Sequence, residues 1–118
     1  MKQFMAIYVG TPDAFKRSGW SELSETERKK REAAGMKAWM DWATTNASSI
    51  VAMGGPLGKT KRTATGGVTD VSNNVAGYTV VQAESHEAAA KLFENHPHFA
   101  IFPGEAVEVM PVMPIPQM

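Results

Sequence analysis

Two segments of the chain carry apolar side chains on both of their alternating sets, which is typical of strands buried on both faces. They cover residues 4–9 and 75–83. Shorter apolar segments at 50–53 and 105–110 predict two further strands. The sequence therefore predicts a four-stranded sheet in which both faces of the apolar strands need a covering layer.

A long helix is predicted between the first two strands. Ser24 and Glu27 have the spacing of a capping box, in which each side chain accepts a hydrogen bond from the other residue's backbone N–H. Behind this box, apolar residues recur at helical spacing to about Thr45, with Trp39 and Trp42 flanking the stripe. A tryptophan pair of this kind either lines a ligand pocket or packs in the core.

The remaining segments are expected to be shorter or irregular. Residues 87–95 predict a second helix, which Ser85 caps and Pro97 stops. Residues 14–23 are interpreted as a polar connector. Residues 111–118 form an extended, proline-rich tail that cannot continue a sheet as a regular interior strand.

Two short extended pieces, 63–66 and 68–71, complete the order strand, helix, strand, hairpin, strand, helix, strand. This order is typical of an α+β fold of the ferredoxin-like, split β-α-β type, with an antiparallel sheet and two helices on one face. The other face needs a second cover, because an exposed apolar patch of that size is uncommon for a monomer. We therefore expect one domain, residues 1–118, that forms a homodimer through its sheet face.

Composition narrows the classes of function. Twelve basic residues balance twelve acidic ones, so no net charge attracts the protein to nucleic acid or to a membrane surface. The chain has no cysteine, which excludes disulfides, thiol catalysis and thiolate metal sites. No apolar run approaches the ~20 residues of a membrane span, and the apolar start lacks the cleavage site of a signal peptide. We expect a cytoplasmic protein.

Histidine is the side chain most easily poised to move protons near neutral pH. His96 and His98 flank Pro97 at the predicted helix exit. His96 is a candidate general acid or base, because the negative end of a helix dipole would favour its imidazolium; alternatively, it only caps the helix by donating to a late carbonyl. His98 and His86 are expected at the surface. No metal site or cofactor is expected, because no carboxylate stands at a diagnostic spacing.

Other polar residues could meet a ligand from the sheet. Tyr8 and Tyr78 lie on strands expected to be central, so their hydroxyls either line a cavity or are satisfied within the core. Arg62 and Asp70 lie in the hairpin region, where they either meet a ligand or stay on the surface. Residues 53–60 look like a phosphate-binding loop but lack its first glycine and its following helix, so nucleotide binding is not expected.

Several short segments, spread over nearly the whole chain, match a known family in order and spacing. They are residues 4–8, 10–12, 51–57, 77–85, 96–97 and 108–112. Together they resemble the YCII-related domain family, including its DGPF-type branch, and this resemblance implies a dimeric α+β barrel. It also implies a histidine and an aspartate that meet in a cleft. His96 occupies the matching position, whereas Asp70 is an equivalent by position only, and the DGPF motif itself is absent.

The residues and the resemblance together favour a dimeric barrel that binds an unknown small molecule and uses His96 as a cofactor-free general acid or base. Asp70 or a backbone carbonyl would orient the imidazole. The ligand would meet the hydroxyls of Tyr8 and Tyr78, the ring of Trp39 or Trp42, and Arg62. The alternative is a non-catalytic binding or accessory module whose dimer interface uses up the apolar sheet face.

Overall fold

The computed structural model describes residues 1–116 and shows an antiparallel sheet with helices on one face. The strands are, in chain order, β1 (Lys2–Val9), β2 (Ile50–Pro56), β3 (Thr60–Ala64), β4 (Gly67–Val71), β5 (Val75–Ala83) and β6 (Ala106–Pro111). Four of them form the main sheet in the order β2-β5-β1-β6, and β3 and β4 form a separate hairpin. This is the predicted ferredoxin-like α+β arrangement, with the hairpin inserted between β2 and β5.

The helices are α1 (Pro12–Ser18), α2 (Glu25–Thr45), α3 (His86–Lys91) and α4 (Pro97–Ala100). The predicted capping box begins α2: Ser24 Oγ accepts from the Glu27 N–H, and the Glu27 carboxylate accepts from the Ser24 N–H. The helix ends at Thr45. Both ends of the long helix were therefore predicted correctly.

The interpretation of residues 14–23 as a connector was wrong. Most of α1 lies in this segment; the helix begins at Pro12, and the Thr11 side chain accepts from the Ala14 N–H as its N-cap. A 3₁₀ turn follows at Trp20–Glu22 and buries Trp20. A proline at the start of a helix suits its geometry, because the first helical N–H has no partner within the helix in any case.

The role assigned to Pro97 was also wrong. The second helix ends at Lys91, well before the proline, and Pro97 instead begins α4. The hairpin strands also differ from their prediction, since β3 starts three residues earlier than the predicted 63–66. A proline is compatible both with the end of one helix and with the start of another.

The core lies between the helices and one face of the sheet. Alternate residues of β1, namely Phe4, Ala6 and Tyr8, are buried there together with Val81 of β5. Residues of α2, α3 and the turn after α3 pack against them, namely Trp39, Trp42, Ala89, Leu92 and Phe93. The other members lie on β2, β5 and β6; they are Ile50, Ala83, Val107 and Val109. The opposite set on β1, which includes Met5, Ile7 and Val9, is only half-buried. A second copy on that face stays a prediction.

Within residues 1–116, no helix is long and apolar enough to cross a membrane. Pro111 is the last residue of β6, and the stretch that follows it to residue 116 has no regular secondary structure. The Val112 N–H donates to the Gln3 carbonyl at 3.0 Å and keeps the start of the tail beside β1. Residues 117 and 118 of the predicted tail lie outside the described residues.

Candidate functional site

A cleft of about 430 Å³ opens between α2 and the sheet end where β2 meets β5. Its lining residues are Tyr8, Met36, Trp39, Met40, Met53, Gly54, Gly55, Pro56, Ala76, Gly77, Tyr78, His98 and Phe102. Among these described residues, none is an aspartate, glutamate, lysine or arginine. A cleft of this size and apolar character is typical of a small-molecule site.

The β2 wall of the cleft is built around an irregular strand. The pairing of β2 with β5 changes register between Ala52 and Gly55, and Gly54 adopts a left-handed φ of 68°. A side chain at Gly54 would collide with the Tyr78 carbonyl oxygen, so this close approach requires glycine. The bulge turns the backbone from Met53 onward toward the cleft that it lines.

The Tyr8 hydroxyl lies at the inner end of a short hydrogen-bond chain. It is 2.7 Å from Thr79 Oγ1, and Thr79 Oγ1 is 2.9 Å from the Met53 carbonyl oxygen. Because a hydroxyl has one proton and the carbonyl can only accept, Thr79 donates to Met53 and Tyr8 donates to Thr79. The Tyr8 oxygen therefore keeps lone pairs for a ligand. Burial raises the pKa of Tyr8, against a smaller lowering by the Thr79 bond, so the phenol is neutral.

His98 supplies the imidazole of the cleft. Its Nε2 lies 2.8 Å from the Val9 carbonyl oxygen, so Nε2 carries the proton and Nδ1 carries the lone pair. Burial lowers the pKa of His98 more than the bond to Val9 raises it, and the ring is therefore neutral near pH 7. The ring centroids of His98 and Tyr8 are 5.3 Å apart. The two polar groups thus lie side by side in an apolar cleft.

Gly104 packs directly against the His98 ring. The Gly104 N–H donates to the His98 carbonyl at 2.9 Å. A Cβ at Gly104 would collide with the His98 ring and with its carbonyl oxygen. The loop after α4 therefore fixes both the backbone and the side chain of this residue.

His96 has a different environment and is fully buried. Its Nδ1 accepts from the His98 backbone N–H at 3.0 Å, which makes His96 the N-cap of α4. Nε2 must then carry the proton, and it has no hydrogen-bond partner in the described part of the chain. The rings of Trp39 and Trp42 stand steeply to the imidazole, with centroids at 4.4 and 4.6 Å. Burial, with a smaller effect from His98, lowers the pKa of His96 to about 4.

This geometry differs from both interpretations of His96 made from the sequence. His96 caps the beginning of a helix by accepting, rather than the end of a helix by donating. The dipole argument favoured the imidazolium, whereas burial moves the pKa in the opposite direction. The catalytic role of His96 stays a prediction, but its one lone pair is occupied and its ring is not among those that line the cleft.

The other residues predicted for the site divide between two places. Tyr8, Trp39 and Tyr78 border the cleft, as a ligand-binding role requires. Arg62 and Asp70 lie on the β3–β4 hairpin and do not line it.

The structure brings neither imidazole together with Asp70. This carboxylate pairs instead with Lys61 at 2.7 Å on the exposed hairpin. A backbone carbonyl, that of Val9, orients the imidazole of the cleft.

Trp42 belongs to the wall around His96 rather than to the cleft. Its indole N–H donates to the Leu92 carbonyl at 2.7 Å, so one tryptophan of the pair lines the cleft and the other packs in the core. No cluster of three or more histidines and carboxylates suited to a metal ion occurs in residues 1–116.

The sequence did not predict most of the residues that line the cleft, including His98 and three methionines. His98 was expected at the surface, and Met53 only at a strand exit. Met36 and Met40 were assigned to a helical stripe, yet they are 55% and 59% exposed and line the cleft mouth between them. The helical spacing of the two methionines identified their common face but not what covers it.

Comparison with known proteins adds a likeness of overall shape. A solved structure of 5-chloro-2-hydroxyhydroquinone dehydrochlorinase from Burkholderia phenoliruptrix, in complex with 2,5-dihydroxybenzoquinone, matches with 20% sequence identity and a TM-score of 0.48. The match covers 91% of this chain and 89% of that chain. Such a likeness says nothing about the site. Neither a protein-family model nor a curated protein sequence matches the chain.

Proposed function

We propose that this protein binds an uncharged, largely apolar small molecule in the cleft between α2 and β2, and that His98 accepts a hydrogen bond from it. One observation carries the proposal: a neutral imidazole, with its Nε2–H held by the Val9 carbonyl, lines a cleft without charged side chains. Neutral polar groups in an apolar surround orient a ligand by hydrogen bonds rather than by charge.

The two polar groups also define what the ligand must offer. His98 Nδ1 can only accept while the ring is neutral, and the Tyr8 proton is used by Thr79. Both groups therefore favour a ligand that donates, such as one with a hydroxyl or an N–H group. A carboxylate ligand is disfavoured, because its charge would lose its hydration in the cleft and would find no cationic side chain there.

Proton transfer at the same place is the second candidate function. If Nδ1 of His98 took a proton from the ligand, the Val9 carbonyl would already hold the other ring N–H and stabilise the imidazolium. The resemblance to the YCII-related family supports a histidine acting in a cleft, although the matching position there is His96. The alternative is a non-catalytic binding module, which would bind the same ligand in the cleft without transferring a proton.

The test is an NMR titration of the full chain with ¹³C-methyl methionine and ¹⁵N-histidine labels. The probes are uncharged fragment-sized alcohols and phenols, each paired with its O-methyl ether, which cannot donate. We expect the hydroxyl compounds to shift the methyl signals of Met36 and Met40, and the ethers to bind more weakly. A preference for carboxylates, or shifts only at distant residues, would refute the proposal.

Two histidine variants provide the matched comparison. His98→Asn should weaken binding about tenfold, the value of one hydrogen bond, whereas His86→Asn changes an exposed histidine outside the cleft and should not. Each compound that binds is then incubated with the protein, which distinguishes catalysis of proton transfer from binding alone. Turnover that is lost in His98→Asn supports proton transfer, and binding without turnover supports the binding module.

A further inference from the structure

Three of the eight methionines of the chain line the same cleft. Met36 and Met40 stand four positions apart on α2, so their side chains are neighbours on one face of the helix. Met53 belongs to β2, the other wall, where Thr79 Oγ1 donates to its carbonyl oxygen at 2.9 Å. Thioether side chains therefore border the cleft from both of its walls.

These three side chains are open to water, although methionine is most often a buried residue. Met36 is 55% exposed, Met40 is 59% exposed and Met53 is 37% exposed. Tyr8, which lines the inner end of the same cleft, is only 3% exposed. A small solute can therefore reach the methionine side chains without any movement of the helix or of the strand. Because more than half of each α2 methionine is exposed, packing in the core does not account for this pair.

A peroxide would change these side chains chemically. The chain has no cysteine, so the thioethers are its only sulfur groups. In the reaction with hydrogen peroxide, a sulfur lone pair attacks one peroxide oxygen, the O–O bond breaks and an S–O bond forms. The proton of the transferred oxygen goes to the departing hydroxyl, which leaves as water. Sulfur is thus oxidised by two electrons to the sulfoxide while the peroxide is reduced, and methionine sulfoxide reductases restore the thioether.

A sulfoxide oxygen would alter what the cleft can bind. None of the described lining residues is charged, and both His98 Nδ1 and the Tyr8 oxygen are hydrogen-bond acceptors. A sulfoxide oxygen is a further acceptor, so neither of these groups can pair with it, and it holds water at the cleft mouth instead. An apolar ligand must displace that water, and burial of a polar group without a partner opposes binding.

We propose that Met36 and Met40, together with Met53 on the other wall, form a reversible oxidation site at which a peroxide closes the cleft to apolar ligands. Reduction of the sulfoxides reopens the cleft. The oxidation itself requires only exposed thioethers, whereas its effect on affinity rests on the proposed function.

The first experiment needs no ligand. The full chain, with ¹³C-methyl methionine and ¹⁵N-histidine labels, is treated with hydrogen peroxide and followed by NMR. We expect Met36 and Met40 to become sulfoxides at a rate comparable to that of Met113, which is 71% exposed and lies outside the cleft. The ring signals of His98 should shift with them, because this imidazole lines the same cleft. Reductases for both sulfoxide epimers should reverse these changes, and circular dichroism checks that the oxidised protein is folded.

The second experiment measures affinity. The alcohol or phenol that binds most tightly to the reduced protein should bind at least about tenfold more weakly after oxidation, because the sulfoxides must lose water. Its affinity should recover after reductase treatment. The triple variant with Met36→Leu, Met40→Leu and Met53→Leu should show the same affinity before and after peroxide, whatever its starting affinity, because leucine has a similar volume and no sulfur. Met113→Leu is the matched control and should keep the loss of affinity.

The outcomes distinguish this proposal from the proposed function. A ligand that binds equally well before and after oxidation overturns the proposal and leaves the proposed function intact. Met36 and Met40 that stay reduced while Met113 is oxidised also overturn it. If no alcohol or phenol binds the reduced protein, the proposed function fails, and the His98 signals decide. A reversible shift of these signals then supports the oxidation site, whereas signals that do not change overturn it.

Discussion

The buried histidine should make the protein unstable in mild acid, and a single substitution should remove that effect. His96 is fully buried with a pKa lowered to about 4, mainly because burial disfavours the charged ring. In the unfolded chain the same group titrates near 6.5. Between these two pH values the unfolded state binds the extra proton, so the free energy of unfolding falls as the pH falls.

The size of the effect follows from the two pKa values. One pKa unit corresponds to about 1.4 kcal/mol, so lowering the pH from 7 to 5 should cost about 2 kcal/mol through His96. The full effect below pH 4 is about 3 kcal/mol. For a domain of this size that is a large part of the total stability.

The assay is urea unfolding followed by tryptophan fluorescence at intervals from pH 7 to pH 4.5. The comparison is His96→Asn, since asparagine is a good N-cap and still accepts from the His98 N–H. The smaller asparagine side chain lowers the free energy of unfolding of the variant at every pH. The carboxylates and the other histidines titrate in the same way in the wild type and in the variant. The difference between wild type and variant should therefore shrink by about 2 kcal/mol from pH 7 to pH 5. Parallel pH profiles would refute the reasoning, because His96 would then titrate equally in both states.

Three further predictions concern the walls of the cleft. Gly104→Ala should destabilise the protein by about 1–3 kcal/mol, because the new Cβ forces the His98 ring aside. Gly66→Ala is the control and should not destabilise it, since a Cβ there meets nothing within 4 Å. Urea unfolding compares the two variants, and equal stabilities would contradict the close packing at Gly104. Tyr8→Phe should cost about 1 kcal/mol, the net value of the bond to Thr79, and an unchanged unfolding midpoint would show that this bond contributes nothing. Ligand affinity should hold at pH 6.5 and fall at lower pH, because burial keeps His98 neutral below its ordinary pKa; an NMR titration at each pH that showed tighter binding in acid would reverse the assigned role.

The parts of the fold that depend on local chemistry were predictable. The capping box and the helical stripe behind it placed α2, because both depend on residues within a few positions of one another. The apolar runs at residues 4–9 and 75–83 placed β1 and β5 in the same way. The sequence could not say whether Pro97 stops one helix or starts another, since a proline near a helix end is compatible with both.

The site was harder to predict, because its residues are defined by contacts between distant parts of the chain. His98 is oriented by the Val9 carbonyl, which is 89 positions away. His96 is buried among aromatic rings from three segments, and burial is a property of the folded chain alone. The neighbours Trp39 and Trp42 look alike in sequence, yet one borders the cleft and the other packs behind it.

The strand β2 connects the wall of the cleft directly to the hairpin. Its last residues, Met53 to Pro56, line the cleft, and the chain continues at once through Leu57 into the hairpin. The Leu57 N–H donates to the Ala76 carbonyl oxygen at 2.9 Å and so attaches the base of the hairpin to β5 beside the cleft wall. A partner that bound the hairpin and changed the shape of this wall would be thermodynamically linked to ligand binding, and the linkage would be reciprocal. Such a partner would bind the ligand-loaded protein more tightly by the same factor by which it tightened ligand binding.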